Sequence, residues 1–419
     1  MPFSPARTHS PPQPGRVPSR LEKPLAIKRR LYPKPRNGSG MFPGPPPSFG
    51  VREYLFKRQW LILLTPLAIV LSFFARSHPQ WVETVYSTKI YPVLSQSIGS
   101  VSALVPFSLA ECIIVGLVIL GFYLVISLIY RLTRQDAEHT KAWFVARFLS
   151  TVLSIGSVIY FLFVLDCGLN YSRYPFTYYS GLNIRDSSAQ ELSSLCAELI
   201  EEANNLSGQV ERDENGITRL SGGMYQTAAD AKAAFDTLSQ GYPVLAGQYA
   251  QPKPVFFSRM MSRAQITGVF FPLTFEANVN REAPEYTIPA TMCHELSHLR
   301  GFMREDEANF IGYLACRQSE SAEFQYSGVM LALVHSMNSL YSVDQDAFFA
   351  LAQQYSPGVA MDFQYNNLYW QQFEGAVAEV SSKVNDSYLK ANFQSDGVQS
   401  YGRMVDLLLA DYRSRHGLE

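Results

Sequence analysis

Histidine and cysteine are both scarce in this chain, at 7 and 5 of 419 residues. The five cysteines are odd in number and show no C-x-x-C spacing, so no zinc ribbon, thioredoxin-like site or disulfide framework is implied. A single bridge among Cys196, Cys293 and Cys316 stays open. Net charge is also nearly absent, at −1 from 35 Lys/Arg and 36 Asp/Glu. That balance argues against a nucleic-acid binder. The glycine pair Gly222-Gly223 lacks the lysine that a phosphate-binding loop requires. No internal repeat is visible, and no signal peptide opens the chain, because its first apolar run begins only near residue 59.

The balance conceals a division. Residues 1–165 carry 18 Lys/Arg against 6 Asp/Glu, a charge of +12, whereas residues 166–419 carry 17 against 30, a charge of −13. This pattern suits a basic membrane anchor followed by an acidic soluble domain. Residues 1–50 hold 13 of the 25 prolines with little apolar periodicity, which reads as a disordered, Pro-rich basic tail. Three apolar stretches follow within residues 51–165, at about 59–75, 109–130 and 146–165, each long enough for a transmembrane helix. Arg52, Lys57 and Arg58 precede the first stretch, and Arg131, Arg134, Lys141 and Arg147 lie between the second and third. Residues 77–110 carry Lys89 as their only Lys or Arg. The positive-inside rule then predicts a cytoplasmic N-terminus and an extracytoplasmic domain over residues 166–419 in a multi-pass cell-membrane protein.

The segment Thr291–Gly301 contains His294, Glu295 and His298 in the order H-E-x-x-H. Residues four apart lie one above the other on a helix, so both imidazoles can reach one metal ion. Zn²⁺ is the expected ion, with Glu295 as the general base for water. Gly301 can end this helix, and a second helix is expected from about Glu305, burying Phe310, Ile311 and Leu314. Catalytic zinc takes three protein ligands. Glu305, Asp306 and Glu307 can supply the third, but residues two apart on a helix face nearly opposite ways, so Glu305 and Glu307 exclude each other.

The stretch Glu305–Asn309 resembles the E-x-x-A-D/N signature of gluzincin metallopeptidases, notably the membrane-embedded CAAX prenyl endopeptidase type. That resemblance implies Glu305 as zinc ligand and Asn309 as the residue that buttresses a histidine. Asparagine replaces the more usual aspartate, which makes the supporting hydrogen bond neutral. The histidine-to-glutamate spacing is shorter than in those enzymes and keeps Glu307 as the alternative ligand. The blocks Asn170–Phe176, Ile266–Pro272, His294–Asn309, Asn385–Lys390 and Gly397–Tyr401 resemble a bacterial family of membrane proteins, the "domain of unknown function 3810" family. The resemblance takes in the preceding membrane spans and implies no substrate.

The rest of the chain reads as a mostly helical α+β domain of gluzincin-like zinc-protease type. Helices are expected at Ser187–Leu206, capped by Ser187 or Ser188, and at Thr227–Leu238, Glu323–Met337, Asp344–Gln354, Leu368–Leu389 and Gly402–Tyr412. Strands are expected at Lys253–Arg259 and Gly268–Asn280, with Val269–Glu276 as a possible substrate-binding edge. Tyr355, Phe363, Tyr365, Tyr369 and Trp370 form an aromatic cluster suited to a core or a groove. His335, Tyr401, Arg403 and Arg304 are candidate donors to a reaction oxyanion. The expected activity is zinc-dependent hydrolysis of a peptide or protein at the lipid bilayer. The competing expectation is a non-enzymatic binding or sensing protein with a structural or vestigial metal site.

Overall fold

The computed structural model describes residues 59–136, 139–392 and 403–418. The Pro-rich tail, the basic residues Arg52, Lys57 and Arg58, and the block Gly397–Tyr401 lie outside them.

Three helices are long and apolar enough to cross a membrane: Trp60–Ser77, Leu109–Thr133 and Lys141–Asp166, of 18, 25 and 26 residues. At about 1.5 Å rise per residue, each approaches or exceeds a hydrocarbon core of about 30 Å. The first opens as a 3₁₀ turn and continues as α1 (Leu64–Ser77). The segment that follows contains helix α2 (Tyr91–Ser102), then α3 (Leu109–Thr133) and α4 (Lys141–Asp166). Ser108 and Thr140 fix the starts of α3 and α4, their hydroxyls accepting from the N–H of Glu111 and Trp143. α1 meets α4 through the small buried residues Ala68 and Ala75 and a 2.8 Å bond from Thr65 Oγ1 to Ser157 Oγ, as close helix approach in lipid requires.

Residues 79–102, between the first two apolar helices, are helical throughout and include a π-helical stretch, Val82–Ile90. Sequence alone marks them only by their shortage of basic residues, Lys89 being the one present. They are built into the core that carries the H-E-x-x-H segment. Glu83 pairs with Arg173 at 3.1 Å, both buried, and accepts from the Tyr174 N–H at 3.0 Å. The Tyr91 hydroxyl donates to the His298 carbonyl at 3.0 Å. Ser102 Oγ donates to the Thr274 carbonyl at 2.8 Å.

Beyond α4 the chain forms α5 (Ala189–Ser207), α6 (Gly223–Gly241), strand β1 (Lys253–Pro254), α7 (Ser258–Arg263), β2 (Gly268–Phe271), β3 (Glu276–Val279), α8 (Ile288–Leu299), α9 (Glu305–Arg317), α10 (Ala322–Val343), α11 (Gln345–Ala352), α12 (Pro357–Gln371), α13 (Ala376–Ala391) and α14 (Arg403–His416). Of the two possible caps for α5, Ser188 makes the bond. The sheet order is β1-β3-β2, parallel between β1 and β3 and antiparallel between β3 and β2.

Three expectations are corrected. Lys253–Arg259 is a strand for two residues only: Pro254 cannot donate to a ladder, and the N–H groups of Phe256 and Phe257 go to the Glu111 carboxylate instead. Gly268–Asn280 is two strands, because the Pro272–Phe275 segment turns between them. Leu368–Leu389 is two helices, broken at Gly375, whose φ of +140° L-residues rarely adopt. All five cysteines are free, so no bridge joins Cys196, Cys293 and Cys316.

Glu276 joins this sheet to the second apolar helix. Its buried carboxylate accepts from the N–H of Leu109 (3.1 Å) and Ala110 (2.8 Å), the first turn of α3, and pairs with Lys253 Nζ at 2.6 Å. The ammonium also donates to the carbonyls of Ser102 and Phe107. Glu276→Ala would leave a buried cation without its counter-charge, at a cost of about 3–5 kcal/mol. We expect a lower thermal midpoint for the detergent-purified chain, with Glu276→Gln intermediate. An unchanged midpoint in the alanine variant would contradict this coupling.

Candidate metal centre

The H-E-x-x-H segment lies on α8, whose residues are almost all buried. Its end is set by Gly301, at φ +87°, the left-handed conformation typical just past a helix C-terminus. The turn brings the Phe302 carbonyl back to within 2.8 Å of His298 Nδ1. On α9, Asn309 Oδ1 lies 2.7 Å from His294 Nδ1. With both Nδ1 atoms tied, each Nε2 is the free ligand atom, and both face Glu305. Its carboxylate lies 3.3 Å from His294 Nε2 and 3.7 Å from His298 Nε2. Ligand atoms of the three residues all fall within 4.8 Å of one another.

Of the sequence candidates, Glu305 therefore joins the imidazoles and Glu307 does not. Glu307 Oε1 accepts from the Phe176 N–H at 3.0 Å and faces Arg304 at 3.9 Å. Burial pushes its pKa up to about 7. Asp306 pairs with Arg304 at 3.1 Å.

Glu295 is held against the sheet. The Phe270 N–H faces its carboxylate and favours the ionised form, while Oε2 is buried with no hydrogen-bond partner among the described residues. In the β2–β3 ladder the Asn280 N–H meets the Thr267 carbonyl at 2.8 Å. Pairing alternates along an antiparallel ladder, so the backbone groups of Gly268 and Phe270 point outward, towards Glu295. Close approach requires glycine at 268: a Cβ there would lie 2.5 Å from Glu295 Oε1 and 2.9 Å from Thr291 Cγ2.

The electrostatics are those of a crowded, largely buried cluster. Burial, only partly offset by His294, pushes Glu295 up to about 8. Burial pulls His294 down, but the hydrogen bond and charge of Glu305 outweigh it and hold the imidazole at about 9. Burial and the neighbouring His294 charge lower His298 to about 4. A proton shared between His294 and Glu305 thus sits where a cation would compete for the same atoms. The donor set of two Nε2 atoms and one carboxylate, with both Nδ1 atoms supported from behind, fits Zn²⁺.

A cavity of about 760 Å³ opens on this cluster, lined by Gly268–Phe270, Trp370, Asn385, Tyr171 and Tyr388 among others. The hydroxyls of Tyr171 and Tyr388 meet at 2.8 Å, and the charge of Glu305 reaches both. This pair is the site feature that sequence reasoning missed. Its members are 217 residues apart, and the only signal was their presence in two blocks with no stated link to the metal residues. The other oxyanion candidates do not line the cavity: Arg304 faces Asp306 and Glu307, Arg403 lies 3.6 Å from Asp306, and His335 is absent from the lining, its pKa lowered to about 4 by burial and by the His294 charge. Tyr401 lies outside the described residues. Of the aromatic cluster, Trp370 reaches the cavity, whereas Tyr355 packs on Phe363 and the Tyr369 hydroxyl bonds Ser262.

Residues 86–409 match the family described as "Protein of unknown function (DUF3810)". The chain belongs to that family. The DUF3810 match contains the second and third apolar helices and the whole His/Glu cluster, but begins after the first apolar helix. No curated protein matches the chain, and no solved structure does.

Zinc titration of the purified DUF3810 protein tests the ligand assignment. Glu305→Ala should abolish stoichiometric binding, Glu307→Ala should retain it, and Asn309→Ala should weaken it about 10- to 100-fold. Because the ion must displace the proton on His294, affinity should rise roughly tenfold per pH unit from about pH 6 and level off near pH 9. Binding independent of pH, or lost in Glu307→Ala, would contradict the assignment.

Proposed function

We propose that the protein is a membrane-anchored, zinc-dependent hydrolase, a metallopeptidase of gluzincin type that cleaves peptide bonds. The observation that carries this reading is the convergence of His294, His298 and Glu305 within 4.8 Å, beside a glutamate whose Oε2 has no hydrogen-bond partner among the described residues. His294, His298 and Glu305 would hold the ion. Bound there, zinc supplies a Lewis acid that polarises a carbonyl and acidifies water.

The remaining roles belong to the chain. Glu295, packed against Gly268 of the edge strand, would take a proton from water and later return it to the leaving amine. A nearby divalent charge favours the ionised carboxylate, countering the burial that otherwise keeps Glu295 neutral up to about pH 8. The outward backbone groups of Gly268 and Phe270 offer an edge to which an extended peptide can add as a strand. The Tyr171–Tyr388 hydroxyl pair is the chain's own donor for negative charge on the reacting carbonyl oxygen. With a cytoplasmic N-terminus, as the loop charges imply, the chemistry would lie on the extracytoplasmic face.

A binding or sensing protein with a structural metal site would have no use for a general base held in an open cavity, which weighs against that alternative. The two readings separate on one variant. Glu295→Gln should retain zinc yet cleave a mixed-sequence peptide pool about 10²- to 10⁴-fold more slowly, assayed by mass spectrometry on the full chain. Equal cleavage by wild type and variant would remove the hydrolase.

A further inference from the structure

The chain segment that leads into the edge strand is fixed to the end of a membrane-crossing helix. In the first turn of α3, the Glu111 carboxylate accepts from the N–H groups of Phe256 (2.9 Å) and Phe257 (2.8 Å), next to the Glu276 clamp. From this turn and α7, Phe256, Phe257 and Met260 project with 70%, 49% and 59% of their surface exposed. Leu104 and Phe107, in the loop entering the same helix, are 80% and 52% exposed. Large apolar side chains rarely gather on a surface that faces only water. The Arg281 guanidinium lies 5.7 Å over the Phe256 ring, and Arg259, paired with Glu282 at 3.8 Å, sits on α7 itself. Aromatic and aliphatic side chains beside arginines are what an interfacial, lipid-seated segment carries.

The same segment borders the cleft. α7 runs through Ile266 into β2, whose outward edge lines the cavity, and both Ile266 and Val269 are partly exposed. Cys167, the residue that follows the last residue of the third apolar helix, lines that cavity too. The cleft thus opens beside the ends of two helices that can cross a membrane.

We propose that the Phe256–Met260 turn is a foot seated in the lipid headgroup layer, and that the cleft beside it takes an extended segment of a polypeptide anchored in the same membrane. The substrate half of this proposal rests on the hydrolase reading. Strand addition at β2 is tolerant of sequence, so selection would come from tethering, which raises the effective concentration of the segment at the cleft mouth.

The test uses the zinc-loaded full chain in nanodiscs, with the fluorophore NBD on Met260→Cys in a Cys112→Ser background. Nitroxide-bearing lipids should quench this label more strongly than aqueous iodide. Stronger quenching by iodide overturns the foot, and protection from both quenchers overturns it in favour of a protein partner or second copy. In parallel, one mixed-sequence peptide pool is offered with an N-terminal palmitoyl anchor and, separately, with an acetyl group. The anchored pool should be cleaved roughly tenfold faster or more, and Phe256→Ser/Phe257→Ser should shrink that ratio. Equal rates for the two pools, or a ratio untouched by the double variant, overturn the substrate half. Cleavage of neither pool removes the hydrolase reading and the substrate half with it, while the quenching result still decides the foot.

Discussion

The metal site and the chemistry proposed for it depend on two hydrogen bonds made by the far side of two imidazole rings. His294 Nδ1 is held by Asn309 and His298 Nδ1 by the Phe302 carbonyl. An imidazole free to choose its tautomer and rotamer is a poor ligand, and one pinned at Nδ1 presents a single lone pair in a fixed direction. The two pins come from different sources: one is a side chain on the neighbouring helix α9, the other a backbone carbonyl delivered by the Gly301 turn. Close packing of α8 on α9 is therefore a condition of the site. Gly312 shows how tight that packing is, since a Cβ there would lie 3.1 Å from the His294 backbone nitrogen.

Around this centre the chain spends much of its buried polar chemistry on attachment. The Glu83–Arg173 pair, the Tyr91 hydroxyl on the His298 carbonyl, and the Glu276–Lys253 pair on the first turn of α3 all join segments adjoining the apolar helices to those bearing the site. Breaking one partner of such a pair is costly. The orientation of the site relative to the apolar helices is consequently fixed by buried groups and not by a flexible linker. That rigidity gives the cleft a constant relation to any bilayer the helices cross.

Much of this was legible in the sequence where a local rule applied. The three apolar helices, the α8–Gly301–α9 arrangement and the burial of Phe310, Ile311 and Leu314 follow from periodicity and from glycine at a helix end. The choice of Glu305 over Glu307 was also within reach: Glu305 and Asn309 are one turn apart and share a face, so an asparagine that meets His294 brings Glu305 with it. Glu307 shares its side with Ile311 and Leu314 instead. What could not be read depends on contacts distant in the chain. Residues 79–102 gave no sign of burial because their partners Arg173, Thr274 and His298 lie far downstream. β1 ends early because, one residue past the Val255 N–H on the Val279 carbonyl, a carboxylate on α3 captures the N–H groups of Phe256 and Phe257, and the Tyr171–Tyr388 pair exists only once the chain has folded.

The central claim is that two imidazole nitrogens and one carboxylate bind a single zinc ion and leave it accessible to water. Zinc-edge X-ray absorption on the purified full chain measures this directly. The account calls for two nitrogen ligands near 2.0–2.1 Å with oxygen completing the shell, and no sulfur. A sulfur shell near 2.3 Å, or a zinc bound equally well after His294→Ala and His298→Ala, would contradict it.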